Sequence, residues 1–345
     1  MHTYTKLNNL LQTYNYLCFT IRMHTVYKNK NNKNISEKLS VSYVMICCCT
    51  YKRPEKLERL LNNLSNINYQ KNIKTEILVV DNDKEKSAEK VVSKFSQRLC
   101  IHYVSEKQKG LSNARNAALR ESMNYGASHI AFIDDDEIAD INWLVNHIEF
   151  YQKFEDIYIS SGPTYKRFEN NYPSYIINNT VFATHSSKKL GDYKKTCASG
   201  NVFFPLNIIK DSNTYFSKDF NFSGSEDTDF FSRLSKNGYI IGWNYNAVNF
   251  ELINDERANI KWILNRAFHN GYSVSLTRFL NQKNFYKRLF YIIEKIFTLL
   301  MNFIIIIFSI PFGITKFLNS VTRFVKNFGK FLGAILLERR SYYGE

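Results

Sequence analysis

The 345 residues are enough to bury one sizeable core and carry an appendage. With 44% hydrophobic, 15% aromatic and 22% charged residues, a disordered chain is excluded. A net charge of +15 points to an anionic partner, leaving nucleic acid, an anionic membrane surface and a phosphorylated substrate all open.

The opening residues lack the basic, then apolar, then small-residue pattern of a secretory signal. KNKNNKNISEK, residues 28–38, reads as a polar linker. Residues 1–40 are therefore expected to be a disordered or wrongly assigned extension, with Met23 an alternative start. Six cysteines stand at 18, 47, 48, 49, 100 and 197; three in a row without a CxxC spacing exclude a disulfide framework and a zinc site, and fit a reducing, cytosol-facing location.

Val41 to Cys49 is a continuous apolar run, as in a central parallel strand buried on both faces. Pro54 suits a first helical turn, and Leu57, Leu60, Leu61 and Leu64 share one helical face. Glu76 to Val80 is the next strand and ends in Asp81-Asn82-Asp83, before a weak helix over 86–97 and a short strand from Cys100 to Val104. GLSNARNAALRESMNYGA predicts a helix capped by Ser112 or Asn113 and stopped at Gly126. Strand 129–133 delivers Asp134, Asp135, Asp136 and Glu137, and a helix with Trp143, Leu144 and Ile148 follows. This alternation predicts an α/β fold with a doubly wound, mostly parallel, Rossmann-like sheet.

Alternation lapses beyond about residue 155. Residues 156–168 and 197–204 read as strands, with a polar, aromatic substrate-facing loop over 165–196. A helix runs from Ser225, as cap, to Asn237 and stops at Gly238; residues 239–250 supply one or two last strands. A helical C-terminal region begins near 256. Its segment 296–315 has no charge between Lys295 and Lys316 and is just long enough to span a bilayer, although Asn302, Ser309, Pro311 and Gly313 weaken it. Over 316–340, Phe317, Val321, Phe324, Phe328 and Phe331 form a helical stripe flanked by Lys316, Arg323, Lys326 and Lys330, as in a helix lying in an anionic interface. Spanning and half-inserted arrangements both remain open.

Four consecutive acids repel one another, and a divalent cation held through Asp134 and Asp136 with phosphates completing its shell is the obvious compensator. On a doubly wound sheet the carboxyl ends of strands converge on one edge, which would gather Thr50–Arg53, Asp81, Arg115–Asn116 and Asp134–Asp136. Asp81 could accept from a base or ribose, and Arg115 could pair with phosphate.

The stretches CCCTYKRPEKLERLL, EILVVDND, GLSNARNAAL, FIDDDE, CASGNVFFP and GSEDTDFFSRL, in this order, resemble the family 2 glycosyltransferases of GT-A fold over about residues 42–250. The resemblance implies an inverting, Mn2+- or Mg2+-dependent hexosyl-type transferase using a nucleotide-diphosphate sugar. It would set Thr50, Tyr51, Arg53, Asp81, Gly110, Arg115, Asn116 and Asp135 around the donor, and Asp134 and Asp136 on the metal as the DxD motif. Gly200, Asn201 and Asp229 would lie on the acceptor side, and Glu226-Asp227 would match the acidic pair whose aspartate is the catalytic base. Chemistry supports that pair: the group deprotonating the acceptor must sit opposite the leaving diphosphate, so one acid cluster cannot serve both.

NFELINDERANIKWILNRAFHNG is similar to a segment of bacterial members, with Glu251 and Arg257 at recurrent positions. Where some relatives place a metal-binding histidine, this chain has Asn249-Phe250, leaving a third protein ligand open. The tail ending in YYGE is similar to membrane-associated members acting on lipid-linked glycans. The expectation is thus a transferase of cell-surface polysaccharide or glycolipid synthesis, peripheral or anchored by one segment on the cytoplasmic side of the plasma membrane. Its partners would be the sugar donor, a glycan or lipid-linked acceptor and an anionic membrane, not nucleic acid. One alternative is a sugar-nucleotide nucleotidylyltransferase, although CCCTYKRPEK lacks the glycine-rich loop that chemistry needs. The other is a non-catalytic basic membrane-binding protein with a vestigial pocket.

Overall fold

The computed structural model describes residues 37–184, 189–221, 224–280 and 284–336. The expected extension up to residue 36 and the YYGE terminus lie outside them. In chain order the body comprises β1 (Tyr43–Thr50), α1 (Pro54–Leu64), β2 (Lys74–Asp81), α2 (Glu89–Phe95), β3 (Ile101–Ser105), α3 (Leu111–Asn124), β4 (His129–Ile133), β5 (Glu137–Ala139) and α4 (Trp143–Lys153). There follow β6 (Ile157–Ser161), β7 (Thr164–Phe168), α5 (Ser174–Ile177), β8 (Tyr193–Lys194), β9 (Asn201–Pro205), α6 (Asn207–Ser212), α7 (Glu226–Lys236), β10 (Ile240–Trp243) and β11 (Asn249–Ile253). Three helices close the chain: α8 (Ile260–Leu280), α9 (Phe285–Ser309) and α10 (Ile314–Leu336).

The main sheet has eight strands in the order β3-β2-β1-β4-β9-β6-β10-β8. β1 is flanked in parallel by β2 and β4, and the register sets Thr50 beside Asp81 at their carboxyl ends. Successive side chains of β1 point to opposite faces, and both faces are covered. Met45 and Cys47 pack with Ala117 and Ala118 of α3 and Phe230 and Leu234 of α7. Val44, Ile46 and Cys48 pack with the leucine face of α1, with α2, and with Trp143 and Leu144 of α4. Such burial is why the strand is apolar at every position. The expected mostly parallel α/β sheet is present.

Two features depart from the expectation. β9 lies antiparallel between β4 and β6, and a second sheet, β5-β11-β7, grows from the acidic run itself. The two helix caps also differ. α3 starts at Leu111 with no side-chain cap of its own; Asn221, 108 residues away from Asn113, accepts from the Asn113 N–H at 3.1 Å. Ser225 stands at the N-cap of α7 but in the left-handed region (φ 72°), where its hydroxyl does not cap.

α8 and α10 run side by side in the same direction with backbones in contact. A Cβ on Gly271 would fall 1.9 Å from Lys326 O, and one on Gly329 would fall 2.2 Å from Phe268 O. The start of α10 is tied to the body: Asn319 bonds Thr180 N–H (2.9 Å) and Asn178 O (3.1 Å), and Asn179 donates to Thr322 (3.1 Å). α9 returns antiparallel, its Arg288 donating to Ala334 O and Ile335 O, both at 2.6 Å.

At the opposite sheet edge from the strand carboxyl ends, buried Glu76 accepts from Tyr43 OH and from Lys74 (2.9 Å), and its other close partners are His102 (2.7 Å) and Cys100 (3.4 Å). Burial alone would raise this carboxyl, but the hydrogen bonds outweigh it and hold it at about 2. A depressed carboxylate stabilises the fold above its unfolded pKa, and that contribution fades as pH falls towards the folded value. Glu76→Gln is expected to lower Tm by about 2–4 °C at pH 7. The gap should narrow in melts below about pH 4, and a pH-independent gap would show that charge plays no part.

Candidate active site

The carboxyl ends of β1, β2 and β4 open on one edge, and the DDDE turn fills it. Asp135 is buried; Thr50 Oγ1 donates to its Oδ2 at 2.8 Å and Arg53 pairs with its Oδ1 at 3.2 Å. Three cations surround Asp136: Arg257 at 2.6 Å, and Arg53 and Lys56 each at 3.7 Å. Arg257 also bonds Glu251, whose other oxygen pairs with Lys166 of β7. The Asp134 side chain, 44% exposed, is turned to the cleft, with Arg115 3.4 Å away.

Arg115 joins this cluster to the second acidic group. It lies on α3, buried, and its other terminal nitrogen donates to Glu226 Oε1 on α7. The charge of Asp227 also reaches both Arg115 and Asp134. Asp227 itself is half-buried, its Oδ1 accepting from the Thr228 N–H (2.5 Å) and hydroxyl (3.2 Å). Glu226 Oε2 is buried and has no hydrogen-bond partner among the described residues.

These environments divide the carboxyls. Burial pushes Asp135 up to about 6 against the pull of Arg53, and Asp136 adds to the rise. Although its carboxyl reaches the cleft, the surrounding protein still displaces enough water to raise Asp134, opposed by Arg115 and reinforced by Asp136. Asp136 is the exception, since Arg257, Lys56 and Arg53 overcome its burial and hold it below the usual range. Burial lifts Glu226 to about 7, opposed by Arg115. Glu137 is raised well above the usual range, by burial and by the charges of Asp134 and Asp136.

Other expected site residues are occupied by the framework. Asp81, fully buried, accepts from the N–H groups of Asp83 (3.0 Å) and Ala88 (2.8 Å) and from Tyr103 OH (3.0 Å). Asn116 makes paired 2.8 Å bonds with the backbone of Phe216. Asn201 holds Pro163 O and Ala247 O, and accepts from Trp143, each at 2.8 Å. Asp229 pairs with Arg233 one turn along α7. Gly110 donates to Asn82, which stitches the loop before α3 to the end of β2 (2.7 Å). Tyr51 stays partly exposed, with Lys52 and Lys109 ammonium groups 5.5 and 5.3 Å from its ring centre.

Asn249, at the position left open for a third metal ligand, donates to Glu137 (2.7 Å) and to Gly200 O (3.0 Å). Lys56 was missed altogether, because on α1 it reads as a surface charge. Its i, i+3 spacing from Arg53 was the one available sign that both face the acids.

The carboxylate oxygens here are of the type a divalent cation takes, although Asp136 is paired with Arg257, Arg53 and Lys56. Oxygen ligands suit Mg2+ or Mn2+, which keep open positions for phosphate. Among the described residues no three His, Cys, Asp or Glu side chains form a closed cage. A cation would therefore be held by Asp134, with Asp136 if its cations turn aside, and by the substrate. Gly200 keeps that room open, since a Cβ there would sit 2.7 Å from Asp134 Oδ2 and 2.8 Å from Glu137 Oε1.

The fold is of the GT-A type. The family model for glycosyl transferase family 2 matches residues 45–211. Succinoglycan biosynthesis protein ExoM of Rhizobium meliloti (strain 1021) is 28% identical over 233 residues, covering 66% of this chain and 73% of that protein. Hyaluronan synthase of Pasteurella multocida is 26% identical over 249 residues, covering 62% of this chain but only 25% of the synthase. Two solved structures share the fold. The mannosyltransferase PcManGT from Pyrobaculum calidifontis, in complex with GDP-Man and Mn2+, aligns with TM-score 0.51 and 18% identity over 73% of this chain and 69% of its own. S. aureus TarS 1–349 with UDP-GlcNAc aligns with TM-score 0.50 and 16% identity over 67% and 66%.

Gly200→Ala is expected to keep the wild-type circular dichroism and weaken Mn2+ binding in the presence of a nucleoside diphosphate by about 10–100-fold, read by calorimetry. Unchanged Mn2+ affinity would separate Gly200 from the cation site.

Proposed function

We propose that the protein is a membrane-associated, inverting, nucleotide-sugar-dependent hexosyltransferase of polysaccharide or glycolipid synthesis. The observation that carries this reading is Arg115 reaching Glu226 and Asp134 together, which sets two carboxylate groups from distant parts of the chain around one cleft. The family model supports glycosyl transfer, and the succinoglycan biosynthesis relative supports a place in polysaccharide synthesis.

In this reading Asp134 and Asp136 would hold a divalent cation, which would compensate the charge of the donor diphosphate. Arg53, Lys56 and Arg257, already gathered at Asp136, would meet the phosphate oxygens, and Tyr51 would border the base or ribose. Asp227 accepts the proton of the acceptor hydroxyl as its oxygen attacks the anomeric carbon. The bond from that carbon to the phosphate oxygen breaks on the opposite face, and the nucleoside diphosphate departs with the electron pair. Glu226, fixed by Arg115, positions Asp227 and keeps the cleft wall in place. Gly200 and Asn201 would shape the floor below the acceptor, and Asp229 with Arg233 would steady the first turn of α7.

Asp227→Asn is expected to lower transfer by about 10²–10⁴-fold while the thermal shift given by the donor nucleotide stays as in wild type. Equal loss of nucleotide binding would remove Asp227 from the role of base. Melts with UDP-, GDP- and dTDP-sugars should show stabilisation by one donor and only with Mn2+. Stabilisation that ignores metal would detach Asp134 and Asp136 from a cation.

A further inference from the structure

The C-terminal helices are inside out for a protein in water. On α9 the buried side chains are Tyr291, Lys295, Asn302 and Ser309, a polar seam facing α8 and α10. Its apolar side chains point outward: Phe290, Phe297 and Phe308 are 73%, 65% and 70% exposed, whereas Lys295 and Asn302 are 8% and 5%. Residues Phe285–Phe312 form the one stretch among those described that is long and apolar enough to cross a membrane. At about 1.5 Å per residue, the 25 residues of α9 also match a bilayer's thickness, so length leaves its orientation undecided.

The connections decide it. α8 leaves the body, α9 returns, and the chain turns over Ile310–Phe312 into α10, whose Asn319 and Thr322 are bonded to body residues Asn178–Thr180. A single crossing by α9 would set its far end across the bilayer from the body to which that end is attached. Inserting all three helices together would carry Arg266 of α8 and Arg323, Lys326 and Lys330 of α10 into hydrocarbon. Each such charge costs about 2.5–3.5 kcal/mol at a helix centre. Between residues 260 and 336, Glu294 is the only acid against eleven lysines and arginines, so the surface around α9 suits anionic headgroups.

We propose that α9 lies in the plane of one leaflet, its phenylalanine and isoleucine face in the acyl layer of an anionic membrane and its polar seam against α8 and α10. The body is thereby held at a fixed height on one side of the bilayer. This deepens the membrane-associated reading above and resolves its orientation. Lys287, in the first turn of α9, and Lys316, in the first turn of α10 just beyond the far end of α9, both remain in the headgroup layer on the body's side.

The test uses the full chain bound to preformed vesicles of phosphatidylcholine and phosphatidylglycerol, with Cys18 and Cys100 changed to serine. Lys287→Cys and Lys316→Cys, made separately, are treated from outside with a membrane-impermeant maleimide. Both should react before the vesicles are lysed. Protection of either until lysis would overturn the in-plane orientation while leaving membrane association standing. Phe297→Asp combined with Phe303→Asp should reduce flotation at least about tenfold, with the nucleotide thermal shift retained as proof of an intact body. A wild-type chain that ignores the vesicles and pairs with a second copy through this face would overturn the proposal outright. Loss of the nucleotide response with flotation and labelling intact would count against the catalytic reading instead.

Discussion

The buried guanidinium of Arg115 is the interaction on which the cleft depends. Two acidic segments cannot share a poorly solvated space without a cation between them, and removing one partner of a buried pair leaves an uncompensated charge worth about 3–5 kcal/mol. Arg115 reaches Glu226 with one nitrogen and Asp134 with the other. Its position follows from α3, whose start is fixed from a distance by Asn221 and whose small residues Ala114, Ala117 and Ala118 press on the sheet. Packing on one face of the sheet thus sets the charge geometry at its edge.

Asp136 shows the complementary arrangement. Its three cations come from α1, from the turn before it, and from the stretch after β11, so the acid cluster is balanced by residues remote in sequence. From Asp136 the ion pairs continue through Arg257 and Glu251 to Lys166 on β7, the strand that opens into the long loop expected to meet the acceptor. The acidic turn and β7 are therefore joined by side chains as well as by the small sheet.

What the sequence disclosed was what is local. The leucine face of α1 and the unbroken apolar run of β1 announce themselves through spacing, and both are where that spacing sets them. The acids at the end of β4 and the pair at the start of α7 stand out by composition. Their meeting, the antiparallel insertion of β9 and the Arg257–Asp136 pair across 121 residues depend on long-range pairing that no local pattern encodes. Asn116 and Asn201 show the converse: the right residue types at recognisable positions, yet with their amides bonded to Phe216, Pro163 and Ala247. A side chain's type marks the place where it matters, while its neighbours decide which polar groups remain for a ligand.

The seam of α9 also bears on how this chain reaches its final state. Phe290, Phe297, Phe303 and Phe308 stand exposed along one helix, and exposed apolar surface of this kind promotes clustering when it is left without cover. Maturation is then coupled to delivery: the nascent helices need lipid, detergent or a chaperone at hand as soon as they pair.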